Sequence, residues 1–230
     1  MAHLFHHPLC PHSRFVRLAL AEYGLDTELI EEQVRDRRED FLLLNPAGQT
    51  PVLVADGGLV IPGAGNIAEW LDEAIGPVAN APRLLPADVA GRVETRRLVD
   101  WFNQKFFAEV TEWLVQEKVT KRFLTSAQGG GAPDMQLVRA ARSNIRYHLQ
   151  YIGYLTGHRN WLTGNRMSFA DLAAAAHLSA ADYLGDVPWD EDEHAKAWYQ
   201  RIKSRPSFRS LLADRVLGMA PSEIYADLDF

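Results

Sequence analysis

The apolar residues of this chain change their spacing part-way along. Up to about residue 77 they come mostly in short runs, Leu4-Phe5, Leu29-Ile30, Val52-Leu53-Val54 and Leu59-Val60-Ile61, and only Phe15, Val16, Leu18, Ala19 and Leu20 follow a helical spacing. The short runs read as strands, and the helical one predicts a helix from Ser13 to Tyr23 ended by Gly24. A short charged helix is expected from Arg37 to Leu44, stopped by Asn45-Pro46. Pro51 opens the third strand, Gly57-Gly58 turns it into a fourth, and Ile67, Trp70 and Leu71 carry the chain into another helix. The order is βαβαββα over residues 1–77.

Residues 78–87 carry Asn80-Ala81-Pro82-Arg83-Leu84-Leu85-Pro86, which has neither helical nor strand periodicity and reads as a linker. Everything after it, residues 88–219, is patterned as helix. One long helix is expected from Val89 to about Leu124, and the Gly129-Gly130-Gly131 run separates it from a second over Asp134 to Leu155. Ser168 followed three residues later by Asp171 is a capping box that starts a helix inside a core. Trp198 and Ile202 belong to the next helix, which Arg205-Pro206-Ser207 breaks. On the first long helix Phe102, Phe106 and Trp113 fall on one stripe, with Trp101 and Phe107 beside it.

Composition narrows the possible partners. With 24 basic and 30 acidic residues among 230 the net charge is −6, which argues against nucleic acid or an anionic membrane as the main partner. A single cysteine makes no internal disulfide, and the first residues lack the charged region and long apolar run of a signal peptide, so a cytoplasmic location is expected. The most apolar stretch, Leu172 to Ala181, contains His177 and is flanked by Asp171 and Asp182, so no membrane insertion is expected.

Two places carry chemistry. Cys10-Pro11-His12-Ser13 opens the first helix, where a helix N-terminus stabilises a thiolate and lowers the thiol pKa. His6, His7, Cys10 and His12 are metal-ligand types, but alternate strand residues diverge and Pro11 restricts the turn; a solvated loop of histidines is expected, without metal. The second place is the tail, residues 220–230. Pro221 stops the preceding helix, and Ile224, Tyr225, Leu228 and Phe230 then alternate with Glu223, Asp227 and Asp229. Such a segment can set apolar anchors into a partner while its acids meet basic residues. Equally, it can fold back over its own body.

The helix-starting Cys-Pro, the proline before the third strand and the Ser-x-x-Asp box together resemble the glutathione S-transferase (GST) superfamily, over roughly residues 3–218. That resemblance implies a thioredoxin-like N-terminal domain, a helical C-terminal domain, and a C2 homodimer across the first two long helices, with Trp101, Phe102 and Phe106 in its interface. It also implies that Pro51 is cis and that the backbone of Thr50 pairs with glutathione, with Cys10 at the thiol and Gln49 reaching the glycine carboxylate. A Glu/Gln-Ser pair holds the γ-glutamyl head in that family; here those positions are Gly63 and Ala64, which offer no side-chain donor or acceptor. The His6-to-Ser13 start, Pro62-Gly63-Ala64-Gly65-Asn66 and the acidic-aromatic ending further resemble a GST-like branch of bacterial division proteins that bind the tubulin-like GTPase FtsZ. The branch implies a non-catalytic dimer without cofactor, acting on FtsZ polymer at the division site through Ile224, Tyr225, Asp227, Leu228, Asp229 and Phe230, with residues 10, 49–51, 63 and 64 left as a vestigial site. The alternative is an active transferase or thiol reductase that uses Cys10 with glutathione.

Overall fold

A computed structural model describes residues 1–79 and 81–230. Asn80, inside the segment read as a linker, lies outside the described residues. The first unit holds β1 (Ala2–His6), α1 (Pro11–Glu22), β2 (Thr27–Glu31), α2 (Glu39–Leu44), β3 (Val52–Val54), β4 (Val60–Pro62) and α3 (Ala64–Trp70). Its sheet runs β2-β1-β3-β4, with β1 parallel to β2 and the other pairs antiparallel. The two-glycine turn sets the register: Gly57 and Gly58 sit at φ 88° and 86°, both in the region that side chains avoid, and place Val54 opposite Val60. The Thr50–Pro51 bond is cis, as the resemblance implied.

The helical unit begins with α4 (Val89–Asp100), capped by Asp88, whose carboxylate accepts the Gly91 N–H at 2.8 Å. The rod continues without a break through residues Trp101–Thr111 and then α5 (Glu112–Lys118). It stops at Lys118, short of the expected Leu124, and a 3-10 turn covers Thr120–Phe123. Over Trp101–Thr111 the backbone bonds run i→i+5, so each turn takes up an extra residue. The buried positions accordingly fall every four residues, at Phe102, Phe106, Val110 and Leu114, while Trp113, expected on the same stripe, is turned out and exposed. Phe102 and Phe106 are fully buried within one chain and therefore cannot be interface side chains; of the expected trio only Trp101 is half-exposed.

α6 (Met135–Thr156), α7 (Phe169–Tyr183), α8 (Glu193–Lys203) and α9 (Arg209–Leu212) complete the unit. α7 is buried along its whole length. Its capping box forms as expected, and Asp171 also accepts the Leu162 N–H and the Trp198 indole N–H, each at 2.9 Å, so one carboxylate ties three segments together. α1 lies against α7, with Phe15 edge-on to Phe169, and Glu22 binds both Arg205 and Ser207. The two units thus share one core.

Candidate functional site

A cleft of about 800 Å³ opens between the two units, lined on one side by the loop before α1, Gln49 to Pro51 and the start of α3, and on the other by Phe107, Val115 and Val119. Cys10 caps α1 in an extended conformation with Pro11 at the first helical position, and its Sγ lies 3.8 Å from the Thr50 carbonyl oxygen. Burial raises the Cys10 pKa, but hydrogen bonding and charge from His12, helped by Ser13, outweigh it and bring the thiol down to about 7. For His12 burial works downward, and Cys10 with the Asn103 carbonyl reverses it, so the imidazole is held above its ordinary value. The pair can exist as thiolate and imidazolium near neutral pH.

Asn103 organises the floor of this site. His12 Nε2 lies 2.9 Å from its carbonyl oxygen and must donate, while His177 Nε2 lies 3.2 Å from its side-chain Oδ1 and Thr111 Oγ1 meets His177 Nδ1 at 3.1 Å. The His12 ring packs against Phe107 and His177. The expected solvated loop of histidines is thus wrong: His6 is buried, and His7 and His12 are half-buried. Among the described residues no three His, Cys, Asp or Glu side chains converge as metal ligands do.

The start of α3 offers the cleft no side-chain donor or acceptor at residues 63 and 64. Gly63 caps α3 at φ 87° without a side chain, Ala64 is buried, and Asn66 turns its amide back onto the Pro62 carbonyl at 2.8 Å. Gln49 stands exposed on the rim, its backbone oxygen held by Asn45 at 2.8 Å. Arg35, from the first unit, lies over the Phe123 ring of the second at 5.3 Å and spans the mouth.

The tail is folded back and seated. Ser222 donates to the Tyr183 carbonyl through its N–H and to the Asp182 carbonyl through its hydroxyl, at 2.9 and 2.7 Å. Tyr225, expected among the partner-binding residues, is fully buried; its hydroxyl donates to the Leu211 carbonyl and accepts from Arg14, both at 2.8 Å. Phe230 packs on Trp189 and Tyr199, with the Lys203 ammonium 4.1 Å from its ring centre. Lys203 is itself buried and donates to Asp182 Oδ2 at 3.1 Å and to the Ile224 carbonyl at 3.2 Å. The outer side of the tail carries Ile224 and Leu228, 40% and 38% exposed, among exposed Glu223, Asp227 and Asp229.

Sequence reasoning missed Arg14, Arg17, Asp214 and Lys203, which hold this arrangement. Arg17 grips Asp214 with two bonds of 2.8 and 2.9 Å, and Arg14 reaches the same carboxylate at 3.3 Å. Two arginines, Arg14 and Arg17, in the mostly apolar Ser13-to-Tyr23 helix were the available signal.

A βαβαββα unit with a cis-proline beside a cysteine at a helix start, joined to a helical unit across a cleft, defines a GST fold. Residues 4–82 match the glutathione S-transferase N-terminal domain and residues 122–206 the glutathione S-transferase C-terminal domain, and the chain belongs to this family. It is 48% identical over 99% of its length to FtsZ-localized protein A of Caulobacter vibrioides, covering 97% of that protein. Among solved structures, FzlA from C. crescentus superposes with a TM-score of 0.93 at 46% identity, covering all of this chain and 99% of that one. A glutathione S-transferase from Sinorhizobium meliloti 1021 superposes with a TM-score of 0.95 at 54% identity, covering both chains completely.

Proposed function

We propose that this chain is a non-catalytic GST-fold dimer that binds FtsZ filaments in the cytoplasm at the bacterial division site and regulates constriction. The observation that carries the reading is the lack of a side-chain donor or acceptor at Gly63 and Ala64, in a chain akin throughout to an FtsZ-localized protein. A cleft that can meet the thiol of glutathione but offers no side-chain donor or acceptor at residues 63 and 64 forgoes the groups that would fix the γ-glutamyl head there. Ile224, Asp227, Leu228 and Asp229 form the contact face, while Tyr225 and Phe230 hold that face in place from beneath. A dimer presents two such faces, so one molecule bridges neighbouring subunits of a polymer and gains effective concentration. Trp101, at the α4 end of the long rod, and Tyr147 and Tyr154, seven residues apart on the exposed side of α6, mark the face available for that dimer.

The reading is tested by co-sedimenting the purified protein with FtsZ polymer and by titrating it with millimolar glutathione in a calorimeter. Pelleting with polymer and no heat of binding are expected. Absence of pelleting, or clear glutathione binding with turnover, defeats it.

One observation favours a second reading, a glutathione-dependent transferase or thiol reductase: the Cys10 thiol lowered to about 7 beside His12 is equipped for nucleophilic attack. Its signature is conjugation or disulfide reduction that vanishes in Cys10→Ser.

A further inference from the structure

Arg14 is fully buried and joins four separate segments. Its Nε donates to the Pro8 carbonyl at 2.6 Å, its Nη1 to Ser179 Oγ at 2.9 Å and to the Tyr225 hydroxyl at 2.8 Å, and its Nη2 to Asp214 at 3.3 Å. Pro8 lies in the turn closed by the Cys10 N–H on the His7 carbonyl at 3.0 Å, immediately before the thiol. One guanidinium therefore touches both the turn that places Cys10 in the cleft and the residue that seats the tail. The Asp214 carboxylate is shared with Arg17, so the cluster holds two cations to one anion and leans on neutral acceptors to satisfy Arg14.

From this geometry we infer that seating of the tail and the state of the Cys10 turn are linked through Arg14, so that releasing Tyr225 loosens the turn and exposes the thiol. When the Tyr225 hydroxyl leaves, an Nη1 hydrogen loses its acceptor in a site without water-facing surface. The planar fork of a guanidinium moves as a unit, so recovering an acceptor for that hydrogen shifts the Nε that holds Pro8. Linkage is reciprocal: a group attached to Cys10 that displaces the turn weakens the seat of the tail by the same factor. The cleft thereby gains a means of adjusting the tail even if it performs no reaction. This inference does not depend on what the tail binds.

The experiment measures the rate of Cys10 alkylation by iodoacetamide at pH 7 in the full chain, which has no other cysteine to compete. Tyr225→Phe keeps the ring and removes the hydroxyl; the rate is expected to rise about fivefold, the shift in an opening equilibrium that one net hydrogen bond supports. Phe230→Ala removes a tail anchor that does not touch Arg14 and is expected to leave the rate within about twofold. In the reverse direction, alkylated protein should lose its terminal residues to carboxypeptidase faster than unmodified protein. An unchanged rate in Tyr225→Phe overturns the linkage, and an equal rise in Phe230→Ala overturns the route through Arg14. Circular dichroism of each variant confirms that the fold is retained; should Tyr225→Phe fail to fold, the carboxypeptidase comparison on the unmutated chain decides, and equal digestion of both forms overturns the linkage.

Discussion

At the cleft, α1 presents a thiol and an imidazole that adjust each other's protonation, while the start of α3 presents Gly63 and Ala64, which carry no side-chain donor or acceptor. At the tail, by contrast, the inward groups are matched almost one for one, with Tyr225, Ser222, Lys203 and Asp182 each satisfied by named partners. A ligand site needs fixed donors and acceptors around the whole guest, and residues 63 and 64 at the start of α3 supply none from their side chains. A docking element needs a rigid back and an exposed front, and the tail has both. The family's inherited cavity is therefore the less completed of the two regions, and its last eleven residues are the more completed.

The largest effect expected from breaking this contrast lies at the tail's seat. Asp182 takes bonds from Trp189, Tyr199 and Lys203, and Asp182→Ala leaves the buried Lys203 ammonium without its carboxylate. A loss of about 3–5 kcal/mol in urea unfolding is expected, with early digestion of the tail. Next comes acid. Burial lowers His6 and His148 to about 4 and holds His177 well below its ordinary value, and in the unfolded chain all three return to that value near 6.5. Between those values the unfolded state binds more protons, so the stability contributed by neutral His6 and His148 falls as pH drops from 6.5 towards 4. For His6 and His148 the loss is on the order of 3 kcal/mol each, and His148→Gln should flatten part of the melting-temperature profile.

A smaller change sharpens the picture of the start of α3. At Gly63 the backbone holds φ 87°, so a side chain there is strained even though the space is open, with the nearest atom 3.7 Å from an added Cβ. Gly63→Ala should cost about 1–2 kcal/mol in thermal unfolding. The smallest stability effect is expected on the outer face of the tail: Ile224→Ala and Leu228→Ala should each stay within about 0.5 kcal/mol of the parent, yet reduce recovery with FtsZ polymer.

Parts of the fold in both units were legible because their signals are local. Gly57-Gly58 permits one kind of turn, Ser168-x-x-Asp171 one kind of helix start, and Pro51 one kind of entry to a strand. The cleft was half legible for the same reason, since Cys10 and the blank at Gly63 and Ala64 stand in recognisable sequence positions. What was lost depends on contacts far apart along the chain. Tyr225 looked like an exposed anchor because alternation along the tail says nothing of Arg14, 211 residues earlier. The stripe through Trp113 failed because the i→i+5 segment changes the phase of every residue after it, and periodicity assumed a constant turn. His12 read as solvated because Asn103, which organises it, lies on another domain.

The most direct test places both regions in one assay: parent protein, Asp227→Lys and Cys10→Ser, each co-sedimented with FtsZ polymer at equal concentration. A contact face that works by acidic and apolar groups predicts that the parent and Cys10→Ser pellet alike while Asp227→Lys stays in the supernatant. Pelleting unaffected by Asp227→Lys, or abolished by Cys10→Ser, would contradict the assignment of function to the tail.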